Sequence, residues 1–129
     1  MSQKHILLVD DDEDIREVAG ISLETVGSWK VSHAAGGLEG ISKALADQPD
    51  VILLDVMMPD IDGPNTYARL QADPQTRDIP VIFLTAKAQT TDRQSFEKLG
   101  VTAILTKPFD PMELSDQVEA ILAREAVVA

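Results

Sequence analysis

Four short apolar runs, each closed by a polar residue, constrain this chain more than any other feature. Ile6–Val9, Val51–Leu54, Val81–Leu84 and Val101–Leu105 are close to continuous rather than alternating. That is the pattern of strands buried on both faces. A weaker strand candidate covers Trp29–Ala34. Between the runs lie segments with helical spacing. Ile15, Val18, Ala19, Leu23 and Val26 fall on one face of a first helix, and Leu38, Ile41 and Leu45 on one face of a second. Tyr67 and Leu70 mark a third, Phe96 and Leu99 a fourth, and Leu114, Val118, Ile121 and Leu122 the last.

Punctuation agrees with these boundaries. Gly27 follows the first helix, Gln48-Pro49 closes the second and Asp73-Pro74 follows the third. Asp110 is placed to cap the last helix, with Pro111 in its first turn. Five strands alternating with five helices predict an α/β fold, a parallel sheet doubly wound by helices. No internal repeat, low-complexity stretch or long linker interrupts the pattern. One domain over residues 1–129 is expected, with its core at about 5–123 and a short C-terminal tail.

At 129 residues the chain is long enough to bury a core without staples. It has no cysteine, which excludes disulfides, thiolate metal sites and cysteine nucleophiles. The formal charge is −11 and basic residues are not clustered, so direct nucleic-acid binding is not expected. The N-terminus lacks the charged-then-apolar layout of a signal peptide, and no apolar run is long enough to span a bilayer. The expectation is a cytoplasmic protein without a membrane partner.

The polar residues collect where strands end. The first run ends in Asp10-Asp11, the central one in Asp55, the fourth in Thr85 and the fifth in Thr106-Lys107. In open α/β sheets the ligand crevice lies at the carboxyl edge, where strand order reverses. With strand order 2-1-3-4-5, Asp10, Asp11 and Asp55 meet, and Thr85 and Lys107 approach from the next two strands. Three carboxylates at close range repel one another unless a cation intervenes. Oxygen ligands with no Cys or nearby His suit a hard divalent ion, and Mg²⁺ suits phosphate chemistry. Such a cation keeps Asp55 ionised, as a nucleophile must be, and offsets charge on a phosphoryl group. Lys107 supplies a second positive charge and Thr85 a hydroxyl donor, the set that in-line phosphoryl transfer to a carboxylate needs.

Each residue also has a plainer explanation. Helix capping accounts for Asp12, Glu13 and Asp14. It accounts less well for Asp10 and Asp11, which abut the buried strand, or for Asp55, which ends an almost wholly apolar run. Thr and Lys are common at strand ends, so Thr85 and Lys107 gain meaning only from their joint placement. His5 and His33 lie near strands away from the acidic residues. Trp29 reads as a packing residue, and Gly36-Gly37 as a turn without the pattern of a nucleotide loop.

Four stretches together resemble the receiver domains of bacterial two-component response regulators, single-domain chemotaxis receivers among them. They are Leu7-Leu8-Val9-Asp10-Asp11-Asp12-Glu13-Asp14-Ile15-Arg16, Leu53 through Gly63, Leu84-Thr85-Ala86, and Leu105-Thr106-Lys107-Pro108-Phe109. The resemblance runs from about Ile6 to Leu122 and implies a flavodoxin-like receiver fold. It implies that Asp55 is the phosphorylated residue and that Asp10 and Asp11 hold Mg²⁺ together with Asp55. Met57 would offer the metal its backbone carbonyl. Thr85 would hydrogen-bond the phosphoryl group and Lys107 would pair with it. Lys107-Pro108 is often cis in this family. The implied donor is a phosphohistidine on a sensor histidine kinase or a histidine phosphotransfer protein. Autodephosphorylation is implied too, as is a conformational shift on the surface at about Thr90–Leu122. A stand-alone regulator acting on a downstream protein target in trans is therefore expected.

One departure, one variable pair and two alternatives belong with that resemblance. Many receivers carry Tyr or Phe three residues before the Lys, where this chain has Ile104, so a rotating aromatic cannot serve the switch there. Met57 and Lys87 occupy variable flanking positions that tune phosphoryl lifetime in the family. Asp10-Asp11-Asp12 resembles the Asp-x-Asp opening of haloacid-dehalogenase-type phosphatases. Asp14, however, stands where those carry Thr or Val, and Asp55 would have no role. A phosphorylation-independent docking module is the other alternative, but such a module is expected to lose the acidic pair, the acceptor or the lysine, and none is lost.

Overall fold

The computed structural model describes residues 3–86 and 90–128, the side chains of residues 90, 91 and 125–128 excepted. In chain order the elements are β1 (His5–Val9), α1 (Glu13–Gly27), β2 (Lys30–Ala34), α2 (Gly37–Asp47) and β3 (Val51–Asp55). There follow α3 (Gly63–Ala72), β4 (Val81–Thr85), α4 (Thr90–Leu99), β5 (Ala103–Thr106) and α5 (Leu114–Val128). All strand pairs are parallel, in the order β2-β1-β3-β4-β5. The expected doubly wound α/β architecture is present, strand order included.

The apolar runs are continuous because alternate side chains feed two separate cores. Ile6, Leu8, Leu53, Ile82 and Leu84 pack with Ala19 and Leu23 of α1, with Leu114, Val118 and Ile121 of α5, and with Trp29. Leu7, Val9, Ile52, Leu54 and Phe83 pack on the opposite face with Ala44, Tyr67, Leu70 and Phe96 from α2, α3 and α4. Each large side chain so buried contributes roughly 1.5–3 kcal/mol. Trp29 precedes β2, and its indole N–H donates to Ser115 Oγ at 3.1 Å, joining the β2 entry to α5.

Helix faces differ from the apolar periodicity. Val18 (46%), Val26 (42%), Leu38 (50%) and Leu99 (45%) are exposed, although each belongs to the apolar spacing that marks its helix. The reason is close approach through small residues. α2 meets the sheet with Gly37, Gly40 and Ala44. A Cβ at Gly40 would lie 2.9 Å from Val9 Cγ2, so the stripe runs one residue away from Leu38–Ile41–Leu45. In α1 the buried set is Ala19, Gly20, Ser22 and Leu23.

Helix ends shift by a few residues too. Asp12 caps α1, accepting from the N–H of Asp14 at 2.9 Å and of Ile15 at 3.3 Å. Gly27 is the last helical residue rather than the one beyond it, and Ser28 takes the left-handed C-cap conformation (φ 58°). Gly27 serves packing instead, since a Cβ there would lie 1.9 Å from Ser115 Oγ. Asp110 organises the turn before α5, accepting the Met112 N–H on its carboxylate and those of Glu113 and Leu114 on its carbonyl. The stretch past residue 123, expected as a tail, continues α5 to Val128.

Candidate functional site

Parallel strands bring their carboxyl ends to one edge. Asp10 follows β1, Asp55 ends β3, Thr85 ends β4 and Lys107 follows β5. Because β1 and β3 are neighbours, Asp10, Asp11 and Asp55 each place a carboxylate oxygen within 4.8 Å of the others. Asp10, Asp55 and Thr85 are buried, whereas Asp11 is exposed. Lys107 reaches back across β4, and its Nζ donates to Asp10 Oδ2 and to Asp55 Oδ1, both at 3.0 Å. All five sequence-predicted strand-end residues thus occupy one edge.

The scaffold holds these groups at several points. The Asp10 N–H donates to the Ala34 carbonyl at 3.1 Å, extending the β1–β2 ladder by one step. Asp10 Oδ1 accepts the Asp12 N–H at 2.9 Å, and its carbonyl accepts Arg16 Nη1 at 2.6 Å. Arg16 was not singled out from sequence, and its only signal was a cation two turns or less beyond an acidic strand end. The Lys107 N–H donates to the Thr85 carbonyl at 2.8 Å, and the Lys107-Pro108 peptide bond is cis. The Met57 backbone N–H hydrogen-bonds the Asp55 carboxylate, while the Met57 side chain is 61% exposed.

Burial pushes the Asp55 carboxyl up from 3.8 to about 6. The Lys107 hydrogen bond opposes that rise and the Asp10 charge adds to it. Burial draws the Lys107 ammonium down, but its bonds to Asp10 and Asp55 outweigh this and leave it above its ordinary value. Two buried carboxylates share one lysine here, with a third carboxylate beside them, so the pocket is short of positive charge. An all-oxygen donor set with that deficit fits a hard divalent cation.

The remaining sequence candidates lie elsewhere. His5 Nε2 is 2.6 Å from Ser32 Oγ. His33, beneath Gly20, has its pKa lowered by burial and by the charges of Arg16 and Lys43, against the opposing pull of Glu24. Neither joins the acidic group. Ile104 is half-buried and packs against the cluster that holds Phe83 and Phe96. Lys87 lies outside the described residues.

The response regulator receiver domain profile matches residues 6–119. The chain belongs to that family. This receiver domain is 43% identical to the DNA-binding dual master transcriptional regulator RpaA of Synechocystis, over 92% of the chain and 49% of that protein. It is 39% identical to the alkaline phosphatase synthesis transcriptional regulatory protein PhoP of Bacillus subtilis, over 98% of the chain and 51% of that protein. It therefore spans about half the length of the curated relatives it matches. Among solved structures it resembles the chemotaxis response regulator CheY4 of Vibrio cholerae, with a TM-score of 0.86, 29% identity, and coverage of 93% of this chain and 99% of that one. The receiver domain of the Francisella response regulator 1452 superposes with a TM-score of 0.85, at 31% identity over 95% of this chain and 99% of that one. The acidic pocket of this receiver domain fits phosphorylation and Mg²⁺ binding. No helix among the described residues is long and apolar enough to cross a membrane.

Proposed function

We propose that this receiver domain accepts a phosphoryl group on Asp55 from a phosphohistidine of a sensor histidine kinase or a histidine phosphotransfer protein, in a Mg²⁺-dependent reaction in the cytoplasm. The observation that carries the proposal is the setting of Asp55. It is buried at the carboxyl end of β3, within 4.8 Å of the Asp10 and Asp11 carboxylates and bonded to Lys107. An Asp55 carboxylate oxygen attacks phosphorus, the O–P bond forms, the N–P bond breaks, and the imidazole leaves with that electron pair. Asp10, Asp11, Asp55 and the Met57 carbonyl are the proposed holders of the cation. When bound, it supplies positive charge to the carboxylates and to the phosphoryl oxygens.

Lys107 is proposed to transfer from the bare carboxylates to a phosphoryl oxygen, and Thr85 to donate its hydroxyl to another. Hydrolysis of the acyl phosphate by water returns the domain to its resting state. The phosphoryl group biases a shift over α4, β5 and α5 because Thr85 and Lys107, at the ends of β4 and β5, engage it in one conformation better than in the other. With Ile104 on β5, that shift is proposed to proceed without a rotating aromatic. The −11 charge favours a protein target over nucleic acid.

Intact mass after incubation with a small phosphodonor tests this. One phosphoryl group is expected with Mg²⁺, none without it, and none in Asp55→Asn. A phosphorylated Asp55→Asn would place the acceptor elsewhere. Sustained phosphate-ester turnover lost in Asp10→Asn would point to a phosphatase. Partner binding indifferent to Asp55→Asn would point to a docking module.

A further inference from the structure

The loop between β3 and α3 carries Met57 and is held at two points. At its base the Gly63 N–H donates to the Val56 carbonyl at 2.8 Å, and a Cβ at Gly63 would lie 2.8 Å from the Asp55 carbonyl oxygen. At its far side the Asp60 carboxylate reaches the N-terminus of α2. Oδ1 accepts the Gly37 N–H at 3.2 Å and Oδ2 accepts the Leu38 N–H at 3.0 Å. Helix N-termini leave such N–H groups without intrahelical partners, and a side chain at the N-cap ordinarily satisfies them. Here the N-cap is Gly36, which has no side chain to make that bond. The cap comes instead from a residue 22 or 23 positions away in sequence.

The surroundings are shaped for this contact. A Cβ at Gly36 would lie 2.8 Å from Asp60 Oδ2, and one at Gly37 would lie 2.5 Å from Ile61 Cγ1. A side chain at either position would displace the Asp60 carboxylate or the Ile61 side chain that lies against α2. The Leu38 N–H of α2, then the Ile61 N–H of the loop and, more weakly, the Gly37 N–H hold the Asp60 carboxyl below its usual range, so it stays ionised and keeps the bond at neutral pH. Met57 sits between the two anchors, three residues before Asp60.

We propose that Asp60 is a positioning residue: by capping α2 from the β3–α3 loop it fixes the main chain at Met57, and with it the carbonyl proposed to hold the cation. This deepens the function proposed above and rests on it. A loop cut loose from α2 samples more conformations, so the carbonyl must be ordered each time the cation binds. Loss of partners that orient metal ligands typically weakens metal affinity by roughly 10- to 100-fold.

The test separates positioning from simple capping. Asp60→Ala removes both the cap and the tether. Adding Gly36→Asp to that variant restores a carboxylate at the N-cap and the net charge, but leaves the loop free. Gly36 has φ −168°, extended backbone that a side chain accepts, and removal of the Asp60 carboxylate clears the space. Magnesium chloride is titrated into each full chain by calorimetry, and thermal unfolding is followed without the cation. Asp60→Ala is expected to lower Tm and to weaken Mg²⁺ binding about tenfold. The double variant is expected to recover Tm while its Mg²⁺ affinity stays weak. Wild-type affinity in Asp60→Ala, or affinity that returns together with Tm in the double variant, would overturn the inference alone. Failure of the wild type to bind Mg²⁺ would overturn it together with the proposed function.

Discussion

Lys107 Nζ stands 3.0 Å from Asp55 Oδ1 and the same distance from Asp10 Oδ2, so a single ammonium is shared by two buried carboxylates and leaves one negative charge uncompensated. The same contact that stabilises the resting pocket also occupies the charge that a phosphoryl group needs. The pocket is consequently balanced between holding itself together and accepting a ligand.

Removing that ammonium tests the balance. Lys107→Met is expected to cost on the order of 1–3 kcal/mol of stability at neutral pH, because two buried carboxylates lose their partner. The loss should shrink near pH 5, where Asp55 takes up a proton. Denaturant melts at the two pH values measure it, and an equal loss at both would contradict this account of the pocket.

Asp55 itself should oppose stability once ionised. Its carboxyl loses a proton near 3.8 in the unfolded chain and at about 6 in the folded one, so the folded state binds the extra proton between those values. The contribution of Asp55 is therefore most favourable below about 3.8 and falls as pH rises through 6. Asp55→Asn without Mg²⁺ is expected to raise stability at pH 7 by roughly 2–3 kcal/mol, and to change it little near pH 4. Saturating Mg²⁺ should stabilise the wild type more than the variant. A variant less stable than the wild type at pH 7 would contradict the raised pKa.

Phe96 is the buried anchor of α4 among the described side chains of that helix. Its ring meets Phe83 edge to face at 5.3 Å, and Phe83 meets Tyr67 at 6.0 Å. Phe96→Ala should cost about 3 kcal/mol. Hydrogen exchange should then show lost protection in α4 while β1 and β3 keep theirs. Uniform loss across the sheet would mean that α4 is not held independently.

The helix faces make a contrasting pair. Val18→Ser and Leu38→Gln alter exposed side chains and should each change stability by no more than about 0.5 kcal/mol. Leu23→Ala, which empties a wholly buried site in α1, should cost about 2–5 kcal/mol. Thermal melts of the three variants decide whether the small-residue stripes, rather than the apolar spacing, mark the buried faces.

Much of the site was legible beforehand because its residues sit at the ends of recognisable strands. Asp55 and Thr85 close runs in which every residue is buried. Asp10 and Lys107 each stand one residue beyond a strand. Parallel pairing then carries all of them to one edge. Arg16 and Asp60 escaped notice because their partners are a carbonyl and backbone N–H groups, which leave no mark in the pattern of side chains.

Sequence alone determined the class of fold, the places of the five strands and the residues at the carboxyl edge, since apolar runs and the polar residues that end them are local properties of the chain, although the edge strands β2 and β5 are only partly buried. Tertiary structure decided the rest. Gly20 and Gly40 admit a neighbouring side chain, so α1 and α2 turn faces toward the sheet that apolar spacing does not indicate. The α2 cap comes from Asp60, far off in sequence, and the charge deficit at Asp55 arises only when three strands converge. Those features depend on how closely two elements approach, a distance set by packing and not by either element's own pattern.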